Sequence, residues 1–152
     1  MINKYRSGFS LIEVLIFTTI LSLFFVTAAA VVTASLRNVQ ISQHKILATR
    51  YAEELLEWVK NEKQNDWYSF FQSRAGIENT NYIYCFNNTV LAWPAAGSCS
   101  TPGLTPPIYN RTLTLRSSDG GSKIEVTIDV GWTDFNISQS VDLKSVMTVY
   151  EN

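Results

Sequence analysis

The sequence predicts an α+β protein, a long N-terminal helical spine packed on a small antiparallel β-sheet head. Three observations carry this reading. Thirty consecutive residues, Ser7 to Leu36, hold a single ionisable side chain, Glu13. An apolar stripe then recurs at helical spacing as far as Val59, and the first proline is Pro94. Beyond Asn110 apolar and polar residues alternate with the period of a strand. The 152 residues, 46% hydrophobic and 12% aromatic, suit one domain and exclude an intrinsically disordered chain. A formal net charge of -1 lacks the basic footprint with which a nucleic-acid binder neutralises phosphates, so no nucleic acid is predicted as a direct partner.

The first element is the apolar run from Phe9 to Val32, 24 residues. As a helix it spans roughly 36 Å at ~1.5 Å per residue, enough to cross a hydrocarbon core of ~30 Å. A soluble core helix would show an apolar stripe, whereas this run is apolar all round. A secretory signal peptide is the competing reading, with Lys4 and Arg6 as its basic start and Ala28, Ala29 and Ala30 as a small-residue cleavage site. The run continues instead into further helical pattern. Lys4 and Arg6 on one side face Arg37, Lys45 and Arg50 on the other, so charge alone leaves the orientation open.

From residue 33 to residue 63 the helix is expected to continue in amphipathic form. Leu47 with Ala48, Tyr51 with Ala52, Leu55 with Leu56, and Val59 recur every four residues, while Glu53, Glu54 and Glu57 lie mainly off that stripe. A polar and aromatic segment follows, from Asn65 to Asn81. Residues Tyr82 to Phe86 and Thr89 to Trp93 read as a small hairpin around Asn87 and Asn88, with Pro94, Pro102, Pro106 and Pro107 in irregular connections. Arg111 to Leu115 reads as a strand and Ser117 to Gly121 as a turn. Lys123 to Trp132 places Ile124, Val126, Ile128, Val130 and Trp132 on one face, and Gln139 to Tyr150 gathers Val141, Leu143, Met147 and Val149. Short connections make these three an antiparallel meander with one face against the amphipathic helix. Residues 1–52 carry a net charge of +4 and the remainder -5, a basic stalk and an acidic head.

The order Lys4, Arg6, Ser7, Gly8, then Phe9-Ser10-Leu11-Ile12-Glu13-Val14-Leu15-Ile16, closely resembles the prepilin motif of type IV pilins and type II secretion pseudopilins. The chemistry is intelligible without the name: Gly8 offers a protease an unhindered backbone, or simply bounds the helix. A carboxylate at the bilayer centre costs ~2.5–3.5 kcal/mol, less near its edge, so Glu13 needs a reason to be there. The resemblance implies that a prepilin peptidase cuts between Gly8 and Phe9 and methylates Phe9, leaving a mature chain of 144 residues with Glu13 in fifth place. It implies that Glu13 of an incoming subunit pairs with the N-terminal amine of another. It also implies a cytoplasmic leader of residues 1–8, a membrane or filament-core helix of 9–32, its amphipathic continuation at 33–63, and an exported globular head of 64–152. The implied location is the cytoplasmic (inner) membrane, single-pass with the head outside, then the filament. Partners follow: other pilins or pseudopilins, the inner-membrane assembly platform and the lipid bilayer.

The segment LATRYAEELLEWVKN also looks like V-type minor pilins and I-type minor pseudopilins. Many major pilins carry a proline in the membrane half, and this chain has none there. The expected function is therefore a minor pilin or minor pseudopilin, a non-enzymatic structural subunit without cofactor or metal. The rival is a single-pass, membrane-anchored extracytoplasmic binding domain that never assembles. An exported head meets an oxidising compartment, where Cys85 and Cys99 either pair, closing a loop of ~15 residues, or stay as two buried thiols. A catalytic triad would have to use His44, the single histidine, placed on the stalk and read as exposed. Asp119 and Asp134 read as turn residues, without the neighbouring carboxylates a calcium loop needs. Asn87, Asn110 and Asn136 begin Asn-x-Ser/Thr triplets of the kind polar turns often generate. Trp67, Tyr68, Phe70 and Phe71 are either core or an adhesive patch.

Overall fold

Helix α1, Leu11–Asn65, is a single 55-residue element in the computed structural model, which describes residues 10–149. The chain divides between Ser42 and Gln43 into two compact units. In the first unit the described chain is helix throughout from Leu11, and its side chains are exposed almost without exception. In the second, the stripe behaves as its spacing requires: Ala48, Ala52, Leu55 and Val59 are fully buried, with Leu47, Tyr51 and Leu56 packed beside them.

They pack on one four-stranded antiparallel sheet of order β1-β2-β3-β4: β1 Asn81–Cys85, β2 Asn110–Ser118, β3 Lys123–Asp134 and β4 Ile137–Thr148. Pairing runs Leu113 to Ile128 to Leu143 across β2, β3 and β4. The inner face of β3 is the alternating set Ile124, Val126, Ile128, Val130 and Trp132, all buried. Neighbouring β2 adds Leu113 and Leu115, and β4 adds Met147. Val141 and Leu143 are half-buried because β4 is an edge strand, and Val149 lies past its end.

Three expectations are corrected. The first concerns the hairpin, since Thr89 to Trp93 form no strand. β1 instead pairs with β2, Tyr84 opposite Leu113. Trp93 leaves the backbone plane to enter an aromatic cluster, 5.1 Å from Trp58, 5.4 Å from Tyr84 and 5.6 Å from Phe86 between ring centres. That packing, together with the indole N–H of Trp93 donating to Glu62 at 2.9 Å, prevails over local strand preference. Second, the segment after α1 contains a short helix, α2, Trp67–Arg74, capped by Asp66, whose Oδ1 accepts from the backbone N–H of Tyr68 and Ser69. Of its aromatics, Phe70 is buried, Trp67 and Phe71 are half-buried, and Tyr68 is exposed. Third, Asp134 is not a free turn residue: it closes β3 and its side chain is buried.

Cys85 and Cys99 are joined by a disulfide. The bond ties the end of β1 to the long connection that precedes β2. Closing a loop of ~15 residues removes ~3 kcal/mol of unfolded-chain entropy in the chain-entropy account. Replacing both by serine is therefore expected to lower head stability by about 3 kcal/mol, read as a shift in the urea midpoint of the full chain in detergent.

Candidate functional site

Gly8 and Phe9, with Lys4 and Arg6, lie outside the described residues, and the description of the motif begins at Ser10. Ser10 starts the helix: its carbonyl accepts from the N–H groups of Glu13 at 3.0 Å and Val14 at 3.2 Å. Glu13 thus sits in the first turn, where the positive end of the helix dipole favours a carboxylate. The uncharged polar residues that follow satisfy themselves locally. Thr18, Thr19, Ser22, Thr27 and Thr33 each donate a hydroxyl to a backbone carbonyl three or four residues back. These bonds lower the cost of hydroxyls in an apolar surrounding. Glu13 remains the one ionisable group from Ser10 to Leu36.

The second unit joins helix to sheet through two polar contacts. In the first, His44 Nδ1 stands 2.7 and 2.9 Å from the two carboxylate oxygens of Asp134, which also accepts the Trp132 indole N–H at 2.8 Å. An ionised carboxylate only accepts, so Nδ1 carries the proton. His44 is half-buried rather than exposed, and Tyr109 packs edge-on to it. Burial alone would raise the Asp134 carboxyl, but the hydrogen bonds from His44 and Trp132 outweigh it and hold the group below the ordinary carboxylate value. Burial, with Asp134 and Tyr51 nearby, pushes the Tyr109 phenol up to about 12.

The sign of the pH effect follows from Asp134. A folded value below the unfolded one stabilises fully above the unfolded pKa, and that stabilisation is lost as pH falls through the folded value. Asp134→Asn is thus expected to flatten the acid limb below about pH 4, where carboxylates ordinarily titrate. Urea midpoints of wild type and variant should converge as the medium is acidified. Midpoints that stay parallel down to about pH 2 would contradict the assignment.

The other contact is Arg111, fully buried on the inner face of β2. Its guanidinium donates to the carbonyls of Phe86, Tyr51 and Asn88 at 3.0, 3.0 and 3.3 Å and to Glu54 Oε2 at 2.9 Å. Asn87 completes the anchor, accepting from the Arg111 backbone N–H at 2.8 Å and donating to Asn110 at 2.9 Å. Two of the three Asn-x-Ser/Thr triplets therefore have their asparagine side chains engaged with each other, and Asn136 lies in an exposed turn. Asp119 and Asp134 stand at opposite ends of β3 and are not brought together.

These features describe a class: an α+β head on a helix that is long and apolar enough to cross a membrane. A family model described as a prokaryotic N-terminal methylation motif matches residues 3–29. Together with the long helix and antiparallel sheet, the match supports a type IV pilin-like family and points to a structural subunit rather than an enzyme. No curated protein and no solved structure matches the chain.

Proposed function

We propose that the chain is a minor pilin or minor pseudopilin of a type IV pilus-like or type II secretion filament. The observation that supports it best is Glu13, the lone carboxylate of the apolar run from Phe9 to Val32, set inside the matched methylation motif. In this reading prepilin peptidase removes residues 1–8 and methylates Phe9. The cationic amine so created is four residues from Glu13 along the chain, and assembly pairs the amine of one subunit with the carboxylate of another. The cytoplasmic membrane holds the subunit, head outward, until the assembly platform draws it into the filament.

Intact-mass and peptide analysis of the chain purified from its native membrane tests the processing step. The expected species begins at a singly N-methylated Phe9 and lacks residues 1–8. Replacing Gly8 by valine, whose branched side chain obstructs the cut peptide bond, should leave Met1 or its processed neighbour in place. An uncleaved wild-type chain in cells with an active peptidase would refute the reading.

A further inference from the structure

The sheet has two outer edges, and they differ. Beyond β1, the N–H of Gly97 donates to the carbonyl of Ile83 at 2.8 Å and Tyr84 bridges to Ala96, so the connection that follows β1 folds back along that edge. Among the described residues nothing pairs with the outer edge of β4. An open edge is a row of unpaired donors and acceptors, and proteins usually blunt it with a short strand, a proline, a bulge or several charges. β4 is twelve residues long, keeps one unbroken register with β3, and contains neither proline nor glycine. Its charges are Asp142 and Lys144 alone.

Those two charges flank Leu143 and make the strand complementary to itself. When two copies of β4 run antiparallel with Leu143 opposite Leu143, Asp142 of each lies opposite Lys144 of the other. Residues directly opposite share a face of the sheet. The two ion pairs therefore form on the outer face, while the half-buried Val141 and Leu143 gain cover on the inner one. Within one chain Lys144 Nζ is 3.8 Å from Asp142, with both side chains largely exposed, so neither is held away from a second copy. Asp142 also has a reason to take a further cation. Across β3 it stands in register with Asp129, and like charges directly opposite destabilise a sheet. Burial first, and Asp142 next, push the Asp129 carboxyl above the ordinary carboxylate value. In a parallel, in-register pair of β4 strands like charges would meet instead.

We propose that the outer edge of β4 is a docking strand for a second copy of this chain, joined antiparallel about Leu143 into one continuous sheet. Because the β1 edge is already covered, the contact is isologous and closes at two copies. Residues 43–65 of α1 in the two copies then run in opposite directions, so this contact differs from the packing of helical spines in the proposed filament. It requires neither processing nor a membrane.

Sedimentation of the full chain in detergent over a range of protein concentrations tests it, with Asp142→Lys and Lys144→Asp as variants at exposed positions. The wild type should dimerise reversibly, and each variant alone should associate ~10-fold more weakly or worse, since like charges then meet twice. An equimolar mixture of the two variants should restore association, because the doubly basic strand of one meets the doubly acidic strand of the other. A wild type that stays monomeric at its highest soluble concentration overturns the proposal. Association that ignores both variants assigns the contact to another surface and overturns it, as does a mixture that fails to recover. A second measurement is free of charge effects. Leu143→Cys meets its own mate across the pair at ~4.5–5.5 Å between Cα atoms, within disulfide reach, whereas Val146→Cys is carried away from its mate despite being more exposed. Under mild oxidation Leu143→Cys should form the linked dimer several-fold faster; equal rates, or a faster Val146→Cys, overturn the pairing.

Discussion

Glu13→Ala is expected to leave the chain in the membrane at wild-type level or above and to reduce its incorporation into filaments more than tenfold. The two halves of this expectation have separate causes. Removing a carboxylate eases insertion by up to ~2.5–3.5 kcal/mol at the bilayer centre, and the favourable helix-dipole interaction lost with it is only ~0.3–1 kcal/mol. Membrane residence therefore does not suffer. Assembly suffers because opposite charges ~4 Å apart attract by ~4 kcal/mol at an effective dielectric of ~20, and ~1.4 kcal/mol is a factor of ten in an association constant. Glu13→Gln, which retains size and hydrogen bonding but not charge, should behave like Glu13→Ala. The measurement is the ratio of sheared filament to membrane-bound chain by immunoblot, with the partner pilins co-expressed. A Glu13→Ala chain that assembles normally would remove the charge-pairing account, whereas a wild-type chain that never enters filaments would leave the unassembled binding domain in its place.

The elements that sequence reveals are those whose burial follows a local period. Ala48, Ala52, Leu55 and Val59 are buried every three or four residues because one helix face meets the sheet, and Ile124 to Trp132 are buried at every second residue for the corresponding reason. The methylation motif is equally local, Gly8 and Glu13 being separated by four residues of one segment. Where long-range packing decides, local pattern fails. Trp93 belongs by composition to a strand, yet aromatic rings from α1, α2 and β1 and its neighbour decide its place. α2 is eight residues long, too short for a period, and only Asp66 at its cap signalled it. His44 and Asp134 are ninety residues apart, with nothing local to join them. Arg111 did carry a signal: period two through Leu113 and Leu115 puts it on the buried face, where a cation must find partners.

Arg111→Leu is expected to destabilise the head by ~3–5 kcal/mol, the range for removing one member of a buried charged network. This would be a large part of the ~5–15 kcal/mol that holds a domain together. The loss arises mainly from the buried Phe86 carbonyl and the packing of the buried side chain rather than from the ion pair. With the guanidinium gone, the buried Phe86 carbonyl loses the donor that Arg111 supplies, and a buried polar group left unsatisfied costs ~1–3 kcal/mol, while the exposed Asn88 can turn to water. Glu54 is different, because its side chain is 50% exposed while that of Arg111 is fully buried, so water can solvate the carboxylate when the pair is broken. Glu54→Gln should therefore cost no more than ~1 kcal/mol. Arg111→Lys should fall between the two, since one ammonium cannot span carbonyls on α1 and on the connection after β1. Tryptophan fluorescence reports the change directly: Trp58 and Trp93 both pack on Phe86, whose carbonyl Arg111 holds. Urea midpoints of the full chain in detergent should thus fall in the order Glu54→Gln, Arg111→Lys, Arg111→Leu, each lower than the last. Equal losses for Glu54→Gln and Arg111→Leu would instead make the ion pair the source of stability. The ordering matters for the head because Arg111 ties β2 to the helix backbone at Tyr51, while the disulfide and Asn87 secure only the connection between β1 and β2. Without the guanidinium that connection keeps its contact with α1 through Trp93 and Glu62 but β2 loses its tie to the helix backbone, so the weakened region is the contact between helix and sheet.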